Sequence, residues 1–168
     1  SYNVNFSPEG NHIPILLKKI FSSANKNQKF NSTLKKFGTD SNLFDEIEIK
    51  KFGNNGSSPF EIIVKYKNVE VKLPNTGYGV SQVLPIVIEI LSNKGTTFSI
   101  QQPEVHLHPK AQSAFGSFLF TSAQNDNNVF IIETHSDFTI NKFRYNLSTS
   151  KKTKFKSQVL FFERNSIE

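Results

Sequence analysis

The chain has 168 residues, of which 36% are hydrophobic and 17 are Phe, enough to bury a core and too many for a disordered segment. It has no Cys, which excludes disulfides and thiolate metal sites, and no apolar run near the roughly 20 residues that span a bilayer. A count of 20 Lys and Arg against 14 Asp and Glu gives a net charge of +6, which admits a nucleic-acid or acidic-membrane partner but more readily describes a solvated Lys/Asn-rich surface. The segment Ser1 to Gly10 carries neither an initiator Met nor the features of a secretory signal. A cytoplasmic protein whose natural start lies elsewhere is expected.

Residues 1–58 are polar with apolar patches, and two short helices are expected over Ile13 to Phe21 and Phe30 to Phe37. Asn25 to Asn27 and Gly53 to Ser58 read as loops from their Asn, Gly and Ser content. From Phe60 to Leu73 the period is two, interrupted near Asn68, which predicts a β-hairpin. Val80, Val83, Leu84, Val87, Ile88 and Leu91 then fall on one helical face, with Pro85 expected to kink that helix or delay its start. Gly95 breaks the pattern, and Thr96 to Ile100 reads as a short buried strand. Pro109 suits the first turn of the next helix, whose stripe is Ala111, Ala114, Phe115, Phe118 and Leu119 and which ends in the polar run Ser122 to Asn128. Val129 to Ile132 reads as a second buried strand and Gln158 to Phe162 as a third.

Strand, helix, strand over about 35 residues is a βαβ unit with parallel strands. The expected fold class is therefore α/β. Ligands of such sheets sit at the carboxyl ends of the strands. Here those ends carry Gln101-Gln102-Pro103-Glu104 and Glu133-Thr134-His135-Ser136-Asp137, the two most chemically equipped segments of the chain.

Three constellations follow. Gly77-Tyr78-Gly79-Val80-Ser81-Gln82 opens a helix, where free amides and a partial positive charge suit a phosphate, although an ordinary Gly-rich helix start has the same look. The strand end at Gln101, Gln102 and Glu104, followed by His106-Leu107-His108-Pro109, has the layout in which a carboxylate at the strand end holds Mg²⁺ and a neighbouring one orients water, although a plain strand end with polar loop residues has the same look. His135 closes the second strand, where a histidine can reach a γ-phosphate or a water, while His106 and His108 read as structural caps of the loop and the following helix.

In this order and spacing the three segments resemble the ATPase domains of the ABC class, and within it the OLD-like predicted ATPases often filed with AAA-type proteins. The resemblance is specific over about residues 70–145. It implies a partial P-loop NTPase core over 76–168, preceded by a small α+β lobe over 1–75. It further implies ATP and Mg²⁺ as cofactors and a homodimer closed head to tail around two ATP molecules. Gly77, Tyr78, Gly79, Val80, Ser81 and Gln82 would be the signature segment acting on the partner's nucleotide. Gln101 would stand at the metal-binding Walker B position, Gln102 at the catalytic acid position, and His135 at the switch histidine. Some relatives of this kind work with DNA or with nuclease partners; none is implied to be a membrane protein.

Three departures accompany the resemblance. No G-x-x-x-x-G-K-[ST] loop occurs in the chain, so an N-terminal segment outside it is expected to cradle the phosphates, ahead of a loop supplied by a partner or a dead site. Both acidic positions are Gln; an amide is a poorer Mg²⁺ ligand and cannot take a proton from water, so hydrolysis should be slow or absent in this chain, with Glu104 the nearest substitute carboxylate. The usual signature serine is replaced by Gly77, with Ser81 offset. Two other readings stay open: a zinc hydrolase using His106, His108, His135 and Asp137, and a non-catalytic, DNA-associated interaction module using the basic surface.

Overall fold

The computed structural model describes Ser7 and residues 10–22, 28–55, 58–153 and 155–163. Helices α1 (Ile13–Ser22) and α2 (Gln28–Ser41) lead into strands β1 (Glu46–Lys51), β2 (Phe60–Tyr66) and β3 (Val69–Lys72). A single 3-10 turn, Leu73–Asn75, precedes α3 (Tyr78–Ser92), and β4 (Thr97–Gln101), α4 (Pro109–Asp126), β5 (Val129–Glu133) and α5 (Asp137–Thr149) complete the order.

The first three strands form an antiparallel sheet in the order β1-β2-β3. The hairpin predicted over 60–73 is β2 and β3, turning at Lys67 and Asn68 with Tyr66 opposite Val69. Its third member, β1, pairs Glu46 with Lys65 through Lys51 with Phe60 and was missed, because Glu46, Glu48 and Lys50 between isoleucines read as generic surface. The predicted loop over 53–58 holds where it is described, at 53–55 and Ser58, and the one over Asn25 to Asn27 lies outside the described residues.

Strands β4 and β5 pair in parallel, Thr97 opposite Val129 and Gln101 opposite Glu133, with α4 as the crossover. This is the predicted βαβ unit, and the chain is of the α/β class. The expectation that both strands are buried fails. Each alternates exposed and half-buried residues, because among the described residues only one face of this two-stranded sheet packs on the core. Phe98, Ile100, Phe130 and Ile132 pack inward against the core, and Thr97, Ser99, Val129 and Ile131 face out. The third predicted strand does not form either. Among the described residues, Val159, Leu160, Phe161 and Phe162 are exposed and pair with no strand, since β propensity reflects packing against neighbours and these side chains pack on nothing that buries them.

The centre of the molecule is α3. Val83, Leu84, Val87 and Ile88 are fully buried, as the periodicity predicts, and Ile90 joins them in place of the half-buried Leu91. Pro85 lies inside a helix that nevertheless starts as early as Tyr78. One continuous core links Leu17 of α1, Leu34 and Phe37 of α2, Ile62 and Val64 of β2, all of these α3 residues, and Phe115 and Leu119 of α4. Each such side chain contributes about 1.5–3 kcal/mol by leaving water.

The register of β4 and β5 is set at their starts by Asn128, which is buried. Its amide donates to Asn93 O (3.1 Å) and Ser122 Oγ (3.0 Å), and its carbonyl accepts from Thr96 N (3.0 Å). Val129 N then donates to Thr96 O at 3.0 Å. Satisfying a buried amide on both sides leaves one alignment of the strands, and so places their far ends level.

Candidate functional site

The carboxyl ends of β4 and β5 meet at one edge. Gln101 and Glu133 face each other there, both exposed, and Gln101 Nε2 donates to Glu133 Oε2 at 3.0 Å. One residue on, Gln102 N donates to Glu133 O at 2.8 Å, which ties the loop after β4 to the end of β5.

That loop is tightly wound. Gln102 and His106 both have left-handed backbones, with φ of +44° and +64°. Non-glycine residues hold such values at a cost of order 1 kcal/mol each, and such strain clusters where a loop must aim a side chain. Val105 N donates to Gln102 O and Leu107 N to Glu104 O, at 3.2 and 2.9 Å. The turn tucks Glu104 inside, only 8% exposed. Its Oε1 accepts from His135 N at 2.7 Å, while Oε2 is buried with no hydrogen-bond partner among the described residues. Glu104 thus joins the loop after β4 to the loop after β5 and holds the backbone of His135, whose own side chain is exposed.

The loop after β5 is held from its other side by Ser136. Its hydroxyl donates to Gln112 Oε1 (2.6 Å) and accepts from Thr139 N (3.0 Å), capping α5. His108 caps α4 in the predicted way, Nδ1 accepting from Ala111 N at 3.3 Å, with Pro109 at the first helical position. His106 caps nothing; its ring lies against Tyr78 with centroids 5.5 Å apart.

Tyr78 belongs to the start of α3, which packs on the same loop. A Cβ on Gly79 would come within 2.9 Å of His106 O, so glycine is what lets helix and loop touch. Gly77, the N-cap, is open: a Cβ there would meet nothing within 4 Å. Ser81 turns its hydroxyl back onto Tyr78 O at 3.1 Å. Val80 is buried. A cleft of about 420 Å³ lies between the helix and the strand end, lined by Gln82, Ile86, Gln101, Gln102, Pro103 and Val105.

The structure therefore brings the Gly77–Gln82 segment, Gln101, Gln102, Glu104 and His135 into one region. Sequence reasoning did not single out Glu133; its position opposite Gln101 follows from parallel pairing once the register is known. For Mg²⁺, the exposed donors at the strand ends are one carboxylate, Glu133, and one amide, Gln101. That set fits a cation held chiefly by phosphate oxygens and water, which needs only one or two carboxylates from protein. The zinc arrangement is not met, because among the described residues no three His, Asp or Glu come together as a metal group. Nor, among them, is any helix long and apolar enough to cross a membrane.

A family model described as an AAA ATPase domain matches residues 5–140. Solved structures share the fold. A chain from work on ATP-driven dimerization and DNA-stimulated activation of SMC ATPases aligns with a TM-score of 0.51 at 15% identity, covering 74% of this chain and 77% of that one. The Smc head bound to the C-terminal winged-helix domain of ScpA aligns with a TM-score of 0.52 at 14% identity, over 76% and 43%. The Pyrococcus furiosus Smc head with an extended coiled coil, bound to the C-terminal domain of ScpA, gives 0.52 at 12% identity, over 78% and 35%. The chain thus spans less than half of the latter two. No curated protein matches it.

Proposed function

The chain belongs to the AAA ATPase domain family and has the P-loop NTPase fold of SMC ATPase heads, and on that premise we propose that it is the signature-bearing part of an ATP-binding core that closes as a homodimer around Mg·ATP. The observation that carries the reading is the parallel pairing of Gln101 with Glu133, which levels the two equipped strand ends, with the open Gly77 at the start of α3 beside the same loop. In this reading residues 1–75 form the lobe that precedes the signature, and residues outside this chain cradle the β- and γ-phosphates.

Each residue has a role that its position supports. The amino end of α3, at Gly77, Tyr78 and Gly79, offers backbone amides and a positive helix end to the partner's γ-phosphate, and Val80, Ser81 and Gln82 form the first turn behind them. Gln101 lends an amide oxygen to Mg²⁺. Gln102 orients water without taking its proton, and His135 reaches the γ-phosphate or that water. Glu104 acts through His135, since its bound oxygen is committed to the His135 amide. Bound Mg²⁺ supplies charge neutralisation at the phosphates.

Two substitutions test this in the whole protein. Gly77→Ala meets no neighbour, so the fold should hold within about 0.5 kcal/mol while ATP-dependent dimerisation, read by light scattering, is lost. A dimer that forms normally on ATP would remove the signature role. Gln102→Glu restores a proton acceptor and should raise turnover by about 10²–10⁴-fold; unchanged turnover would take Gln102 out of the reaction.

A further inference from the structure

We propose that Glu133 supplies the carboxylate missing from both Walker B positions, so that the cation of Mg·ATP is held from the end of β5 as well as from the end of β4. This rests on the ATP reading above and adds a ligand to it.

Both strand-end positions of β4 that would ordinarily carry charge are amides, which leaves Mg²⁺ without the hard anionic oxygen it prefers. The structure supplies one such oxygen within reach of the same place. Strand alternation puts Gln101 and Glu133 on the same face of the sheet, and the register sets them directly opposite. Their side chains touch, Gln101 Nε2 donating to Glu133 Oε2 at 3.0 Å. With its amide nitrogen spent on that bond, Gln101 keeps its carbonyl oxygen as an acceptor, and the Glu133 carboxylate keeps lone pairs beyond the one bond. An amide oxygen and a carboxylate are then presented side by side. Their backbones are fixed relative to each other through Gln102 N and Glu133 O.

The neighbouring acids do not compete for the task. Glu104 is buried and committed to His135 N. Asp137 lies beyond the strand, in the first turn of α5. Glu133 is thus the strand-end carboxylate open to solvent on the face that carries Gln101. A charge moved one strand across the sheet keeps the cation in the same region, because paired positions on adjacent strands lie only about 5 Å apart.

The test uses the whole protein with ATP, Mn²⁺ as the spectroscopic stand-in for Mg²⁺, and electron paramagnetic resonance to count protein-bound Mn²⁺. ATP binding without metal is measured in parallel. Glu133→Gln should weaken Mn²⁺ uptake into the ATP complex by about tenfold or more and leave metal-free ATP binding and the melting temperature unchanged. The exchange Gln101→Glu with Glu133→Gln should return Mn²⁺ uptake towards the original value, which a merely structural pair would not do. Wild-type Mn²⁺ uptake in Glu133→Gln, with ATP binding intact, would overturn the assignment and leave the ATP reading standing. Absence of ATP binding by the unsubstituted protein would overturn both.

Discussion

The two sheets of this molecule are built from similar residues and reach different ends. In the antiparallel sheet, Ile62 and Val64 of β2 pack into the core, and Ile63 between them is buried among the side chains of its own sheet. Its outer side is laced by Lys65, which reaches Glu48 at 2.5 Å and Glu70 at 3.3 Å; the hydrogen bond to Glu48 chiefly raises the Lys65 ammonium above its usual range. In the parallel pair no residue of either strand is buried, and Val129 and Ile131 stand 55% and 63% exposed. The difference teaches where stability and chemistry divide. The antiparallel sheet and the helices around α3 carry the core, and the parallel pair carries the polar strand ends on a face the described chain leaves open.

That division is testable first by truncating one aromatic on each side. Phe44 is fully buried, close against Gly38 and 6.3 Å from the ring of Phe37. Phe44→Ala should cost about 3–5 kcal/mol in urea unfolding. Phe130, half-buried and stacked on Phe98 with centroids 5.5 Å apart, has less to lose. Phe130→Ala should cost about half as much, because water already reaches part of the ring. Equal losses would mean that the parallel pair is as much a part of the stable core as the packing of Phe44 on α2.

A smaller effect is expected where the strand ends join. Glu104→Ala strips the part-buried His135 amide of its charged acceptor, a loss of about 1 kcal/mol, since water reaches that loop in its place. Removing the unpartnered Oε2 offsets part of it. The more telling readout is local: hydrogen exchange at the His135 amide should quicken while exchange in α3 does not. Glu104→Gln keeps a carbonyl for that amide and should protect it. Exchange at His135 that is indifferent to both changes would show that Glu104 does not hold the loop.

How much of this was legible beforehand follows the same divide. The stripe of α3, the hairpin and the capping of α4 by His108 were readable because each is local: periodicity, a turn, or a cap three residues from its partner. The meeting of the two strand ends was readable too, because parallel βαβ pairing leaves little choice. The exposure of β4 and β5 was not, since an apolar run reads as buried whether or not anything covers its second face. Nor was the Glu104 bond to His135 or the Gln101 contact with Glu133. Each joins residues more than 30 positions apart and depends on a register that Asn128 sets from within the core.

The smallest expected effect is the sharpest probe of the open face. Ile131 points away from the core on β5, opposite Ser99. Ile131→Thr keeps the branched β-carbon and the strand propensity but removes apolar surface. On a face open to water the change should move the stability of this chain by no more than about 0.5 kcal/mol in either direction. On a covered face it would leave a hydroxyl without a partner and cost about 1–3 kcal/mol. Measured in this chain and again in the whole protein, the pair of values separates the two situations. Near zero in both means that the outer face meets solvent in the working molecule. Near zero here and a clear loss there means that other residues seal the face that carries Gln101 and Glu133, and that the strand ends do their chemistry at a buried seam.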